Sequence, residues 1–428
     1  MPGALNGIKV LEIAQVMAIP ITGMLLSDLG ADVVKLEPPW GDASRHTMQP
    51  VLPGESKSFA VLNRGKRSIS LNLADERSRP ALEALVRWAD VVLVSAKASD
   101  LTSFHIAYDD LKQINRELIY LEHSGYGRKG PMAEQGGYDL TAGGLSGLMA
   151  LIGKERNDMP IYTQPAVLDL TTGVLSALAV CAALLTKATT GEGQRVETSL
   201  LSTAMFAQAN VAHDFPAVEP NFRKQFLADI AEAREKGAGY AELQSLRFGS
   251  VRRQSAGNIY YRYFRTKDSV ISIGCLSPDL QRRFREALEI EDPRAEPGFD
   301  LQTDEGFERM KQFVKSTEAL MQAKTTQEWI DLLLDHRVPA TPVLFPEEAI
   351  DHEQVTANGY MVELMHELLG PYRTFAPPIR MDATPTEAQG PSPLLGKHTE
   401  EVLREAGLPD DAIAAMIESG AAGPKLPS

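Results

Sequence analysis

Residues 8–37, IKVLEIAQVMAIPITGMLLSDLGADVVKLE, hold two short β-prone apolar runs around a segment whose apolar residues recur at helical spacing. Strand, helix and strand in so short a stretch make one βαβ unit, whose two strands must lie parallel. The alternation continues outward. SISLNL at 68–73 and DVVLVSA at 90–96 read as strands around the helical ERSRPALEALVRWA, and a helix over YDDLKQINREL precedes LIYLEHS at 118–124. The first 125 residues are therefore expected to form an open α/β sheet. From 140 to 210 the pattern turns helical, with the strand-like GQRVETS at 193–199 interposed, and Gly191 and Gly193 are placed to stop the long apolar helix.

The later chain divides by composition. A polar, charged segment, 213–256, reads as a linker carrying one exposed helix, and residues 257–335 as a small α/β domain. Residues 336–428 are Pro-rich and lack the material for a core, so they are expected to return as linker and pack onto the domain begun by residues 1–212. At 428 residues two domains are the prior. A formal charge of −14, from 43 Lys plus Arg against 57 Asp plus Glu, opposes general affinity for nucleic acid or an anionic membrane. Cys181 and Cys275 have no metal-ligand spacing, which points to a reducing cytoplasm and no metal site, and the N-terminus reads as neither signal peptide nor span.

GYGRKG at 125–130 follows a strand and matches a dinucleotide-binding glycine pattern. Pro131 and the glycine-rich residues after it open no helix where a pyrophosphate would need one, so a nicotinamide-dependent dehydrogenase is the lesser reading. Glu37 ends the second strand, where it is either a ribose-binding acid or a solvated strand end. Arg64, Lys66 and Arg67 precede a strand and form a candidate anion clamp, against the ordinary reading of a solvated basic turn. Arg128 and Lys129 carry the same two readings. Asp169, alone among apolar neighbours at the start of the long helix, is either its N-terminal cap or a shielded carboxylate able to attack a carbonyl.

Taken in order, GIKVLEIAQVMAIPITGMLLSDLGADVVKLEPPWGD, LNRGKRSISLNL, SGYGRKGP with GGYDLTAGGLSGLMALIG, VLDLTTG, TGEGQRVETSLL and PSPLLGKHTEEVLREAGL resemble the family III CoA-transferases, the group that includes formyl-CoA transferase, carnitine CoA-transferase and α-methylacyl-CoA racemases. The resemblance implies a large Rossmann-like domain built from both chain ends, a smaller α/β domain and two subunits interlocked like rings. It carries the nucleophile onto Asp169, which would form an acyl-aspartyl anhydride and then an aspartyl-CoA thioester. Coenzyme A thioesters enter as substrate, with no permanently bound cofactor, and succinyl-CoA is the candidate donor. Met17, Ala18, Arg64, Lys66, Arg67 and Tyr138 are expected at the CoA site, and the glycines around Gly136 and Gly137 as amide donors to the oxyanion.

Three departures shape the reading. Tyr138 stands where the racemase branch has His, which removes a base and disfavours the in-family alternative, an acyl-CoA racemase or isomerase. Met17 replaces the Gln of formyl-CoA transferase, and SVRRQSAGNIYY lacks that enzyme's glycine run, leaving Arg252 and Arg253 as either substrate contacts or linker cations. SAKASDLTSFHI at 95–106 departs from the usual Asn-Phe-Arg-Pro-Gly stretch, so one CoA contact near Lys97 is lost or supplied elsewhere. His123, His213 and His398 show no triad pattern.

Overall fold

A computed structural model describes residues 2–162, 164–218, 221–255 and 257–424, apart from the side chains of Phe222 and residues 248–255. Contacts divide it into two compact units, one of residues 1–154, 160–213 and 354–428, the other of residues 155–159 and 214–353.

The first unit is built on a six-stranded parallel sheet. Its strands are β1 (Lys9–Ile13), β2 (Asp32–Glu37), β3 (Arg67–Ser70), β4 (Val91–Ser95), β5 (Ile119–Ser124) and β6 (Arg195–Ser199), in the spatial order 6-5-4-1-2-3. This is the doubly wound order. Val10, Leu11, Val91 to Val94 and Leu121 are all buried because the sheet is covered on both faces. One face packs on helix α2 (Arg79–Trp88) and on Val402, Leu403 and Met416 from the end of the chain. The other packs on α1 (Ala18–Asp28) and α4 (Val167–Thr190) through Ile19, Leu26, Val180 and Ala183. Between them in sequence, α3 (Asp139–Ser146) ends at Gly147, whose φ of +84° splits the expected helix in two. The tail covers the exposed edge of β3: Ser70 donates its N–H to Thr399 Oγ1 at 3.1 Å and accepts from Gly423 N at 2.9 Å.

The second unit carries a three-stranded antiparallel sheet of Tyr261–Arg265, Val270–Gly274 and Ala340–Pro342, packed on helices around Phe264, Phe284 and Trp329. Two boundaries differ from the sequence reading. The expected linker, 213–256, instead carries the helices Phe222–Glu235 and Tyr240–Ser255, which belong to this unit. Residues 340–342 are its edge strand rather than return linker, an edge being where flanking prolines are tolerated.

α4 has the length and apolarity of a membrane-spanning helix; one of its faces packs on α1 and the sheet and the other is exposed. It crosses α1 at Gly173, whose carbonyl accepts from Thr22 Oγ1 at 3.1 Å. A Cβ there would lie 2.6 Å from Ile21 Cγ2 and 2.8 Å from the Ala18 carbonyl. Gly173→Val is expected to cost about 1–3 kcal/mol through overpacking, read as a lower urea midpoint at unchanged m value. Gly144→Ala, in open space on α3, should instead hold or raise stability.

Candidate active site

Because β1 and β4 are neighbours whose chains leave the sheet in opposite directions, their carboxyl ends flank a crevice, the place where open α/β sheets bind ligands. Here it is a cleft of about 320 Å³. Gln15 to Ile19 line it after β1, Ser95 to Lys97 after β4 and His123 to Gly125 after β5, and Gly136 to Tyr138, Leu200 and Asp169 complete the wall.

The turn after β1 is strained and anchored from below. Val16 has a φ of +73°, unusual for a β-branched residue, and its N–H donates to Asp42 at 3.1 Å. Asp42 pairs with Lys35 Nζ at 2.8 Å, and the same ammonium bonds Glu12 at 2.9 Å and the Ala14 carbonyl at 2.8 Å, all without solvent exposure. Burial works against the Lys35 charge, but these carboxylates outweigh it and raise its pKa. The turn is thus held by a charge cluster that would be costly to open.

Asp169 occupies the third position of α4, so it is not the cap. The orphan amides of that first turn are taken by Asp139 from α3, whose Oδ2 accepts from Leu168 N at 2.8 Å and Asp169 N at 3.2 Å. Among the described residues no donor reaches the Asp169 carboxylate itself. Burial, and second the charge of Asp139, push its carboxyl up to about 7. Tyr162 donates its hydroxyl to Asp139, and burial with the two nearby carboxylates pushes that phenol up to about 12, so it stays a donor. The backbone N–H groups of Met17, Ala18, Gly136 and Gly137 have no protein acceptor among the described residues. The site therefore combines a carboxylate free to react with amides free to meet a developing oxyanion.

Of the residues anticipated from sequence, the cleft brings together Met17, Ala18, Gly136, Gly137, Tyr138 and Asp169. Arg64, Lys66 and Arg67 are elsewhere, and the expected phosphate clamp is corrected. Arg64, fully buried, bonds Asp28 at 3.1 and 2.6 Å and donates to the Phe375 carbonyl. Lys66 places all three donors, at 2.8 Å each, on Glu12, the Pro20 carbonyl and Asn63. Arg67 pairs with Asp32, Glu401 and Glu405. Arg64 and Lys66 are buried cations whose lost hydration is compensated by internal carboxylates and carbonyls, while Arg67 is part-exposed among surface acids. Glu37, likewise, is neither solvated nor open to a ribose: it is buried against Arg45 at 2.8 Å and Ser68 at 2.6 Å.

GYGRKG forms turns rather than a pyrophosphate loop. The Gly125 backbone lies against Gly137, so that a Cβ on Gly125 would fall 2.5 Å from the Gly137 Cα. Arg128 reaches the cleft but pairs with Glu122, and Lys129 is not among the lining residues. His123 is pushed down to about 4 by burial and Arg128, and His398 accepts from Ser68 N. The side chains of Arg252 and Arg253 lie outside those described. Asp139, Tyr162 and Val16 were not anticipated; Asp139 was signalled only by its place in GGYDLTAGG.

The sequence pattern of CoA-transferase family III matches residues 5–399 of this chain. The chain belongs to that family. This CoA-transferase is 32% identical over 94% of its length to a succinate–glutarate CoA-transferase of Agrobacterium fabrum, covering 95% of that protein. It is 29% identical over 97% of its length to human succinyl-CoA:glutarate CoA-transferase, covering 89% of that chain. A succinyl-CoA:mesaconate CoA-transferase of Haloarcula marismortui is 30% identical over 95% of this chain and 97% of its own. Among solved structures, a CaiB/BaiF family protein from Brucella suis superposes with a TM-score of 0.72 at 27% identity, over 95% of this chain and all of that one.

The raised pKa of Asp169 gives the transferase two pH signatures. A reaction that uses the ionised Asp169 should show kcat/KM rising with pH to a plateau above about 7, and Asp139→Asn should move that limb to lower pH. For stability the sign is opposite. The folded value near 7 exceeds the unfolded 3.8, so the proton stabilises the fold below that range and the contribution is lost as pH rises through 7. Asp169→Asn should accordingly raise the melting temperature at pH 8 and change it little at pH 4.

Proposed function

We propose that this CoA-transferase exchanges CoA between dicarboxylic acids through covalent intermediates on Asp169, with succinyl-CoA as donor. The observation that carries the reading is the division of labour at α4. Asp139 satisfies the helix amides, and the Asp169 carboxyl is left to face the cleft.

In this scheme the Asp169 carboxylate attacks the thioester carbonyl. The carbon–sulfur bond breaks and CoA leaves as thiolate, giving a mixed anhydride. The thiolate then attacks the aspartyl carbonyl and expels the donor acid, leaving Asp169 as a CoA thioester. An acceptor carboxylate reverses the two steps and departs as the new thioester, with no net proton change. In this proposal the oxyanion of each tetrahedral stage is received by the amides of Met17, Ala18, Gly136 and Gly137, which line the same cleft and have no protein acceptor among the described residues.

Space beside the cleft supports a ligand as long as CoA. A crevice of about 200 Å³, lined by Leu36, Trp40, Leu73 and Phe104, shares Gln15, Ser95, Ala96 and Asp100 with it. Its apolar and aromatic walls suit an adenine ring. The scheme needs no resident cofactor.

The names of these relatives support the substrate class: two pair succinyl-CoA with a second diacid, and the third names succinate and glutarate. The interlocked homodimer is part of this proposal. Val167, Leu170, Val174, Leu178 and Leu185 form an exposed apolar stripe along α4, continued by Met205 and Phe206, that a second copy would cover. The acidic balance and two free thiols support a cytoplasmic setting.

Mixing the enzyme with acyl-CoA and hydroxylamine should give a hydroxamate on the peptide carrying Asp169, absent from Asp169→Ala. No adduct in wild type, together with α-proton exchange into deuterated water, would replace this mechanism with an isomerase. Sedimentation should show two copies of the 46.7 kDa chain, and Val174→Glu with Leu178→Glu should shift it toward the monomer.

A further inference from the structure

The titratable groups lining the Asp169 cleft are few. They are Lys97, Asp100, His123, Arg128, Tyr138 and Asp169. Arg128 is neutralised by Glu122, and His123 is held neutral at physiological pH. Two carboxylates and one further cation, the exposed Lys97, remain on the lining. Lys97 makes no ion pair and no side-chain hydrogen bond among the described residues, although it borders a cleft that holds both Asp100 and Asp169.

Its direction matters as much as its freedom. The Lys97 Cε lies 3.5 Å from the point that a Cβ on Gly136 would occupy, so the side chain extends over a residue that has none. Gly136 leads through Tyr138 to Asp139, the residue that holds the backbone of Asp169. Lys97 therefore reaches toward the nucleophile's wall. Asp100, one turn on from Lys97, lies where the cleft meets the apolar crevice, and its charge opposes a phosphate there.

A monocarboxylic acid presents its reacting carboxylate to Asp169 and leaves only an alkyl tail in the cleft. A diacid brings a second carboxylate into a space that already holds two, which is unfavourable unless a cation meets it. We propose that Lys97 pairs with the carboxylate that does not react, and so selects dicarboxylic acids. The inference rests on the transferase reading above and names the residue that sets its acid specificity. The ammonium acts as a point charge on a flexible stem, which lets it serve diacids of different length.

The test loads the enzyme with CoA on Asp169, isolates the thioester, and measures its single-turnover discharge by glutarate, its monoamide glutaramate and pentanoate. Wild type should discharge with glutarate faster than with either monoacid. Lys97→Gln should slow glutarate on the order of 10- to 100-fold and leave the monoacids within about twofold, because the charge-assisted contact is lost only for the diacid. Lys97→Arg should recover part of the difference. An equal slowing for all three acids, or a raised KM for acyl-CoA with the acid ratio unchanged, would overturn the proposal and assign Lys97 to the coenzyme. Failure of wild type to form any CoA thioester on Asp169 would overturn the underlying reading instead.

Discussion

The site depends on one carboxylate doing the work of another. A helix start exposes amides that must be satisfied, and the acid nearest at hand normally satisfies them. In α4 that acid would be Asp169, and bonded to its own helix it would be stabilised as an unreactive anion. Asp139 intervenes from α3, and Tyr162 in turn donates to Asp139. Asp169 is left partly buried and beside a like charge, conditions that raise its proton affinity and with it the energy of the free carboxylate. The arrangement also leaves the positive end of α4 beside the Asp169 carboxyl.

A second constraint operates beneath the sheet ends. Glu12, Lys35, Asp42 and Lys66 form one buried network, and burial with the neighbouring Lys35 pulls Lys66 down to about 8 despite its contact with Glu12. Such a network is a poor source of net stability. Its value here is geometric, because Asp42 fixes the strained Val16 turn and the turn presents the Met17 and Ala18 amides. Residues that read as ligand-binding in the sequence are thereby structural, and their rigidity is what the reacting groups stand on.

This explains which parts were legible beforehand. Hydrophobic period alone located β1, α1 and β2, since a buried parallel strand must be apolar along its length. Asp169 stood out as a lone acid in an apolar stretch, which fitted a helix cap as well as a reactive carboxylate, and the family resemblance favoured the second. What periodicity could not reveal was pairing at a distance. Arg64 meets Asp28 across 36 positions and Arg67 meets Glu405 across 338, so a basic turn that looks solvated or anion-binding is in fact internally neutralised. Asp139 acts across 30 positions and sits at the head of a helix, where an acid needs no further explanation. The segment 214–255 misled for another reason: a polar helix on a small unit has the composition of a linker.

The central claim is that the Asp169 carboxyl is chemically part of every turnover, and isotope transfer tests it most directly. With acyl-CoA donor and an acceptor acid labelled with oxygen-18 in its carboxylate, the bridging anhydride oxygen remains on Asp169 when CoA departs with the new acid. Mass spectrometry of the peptide carrying Asp169 should therefore show oxygen-18 incorporation that requires both donor and acceptor. Product forming at full rate while that peptide stays unlabelled would contradict the account.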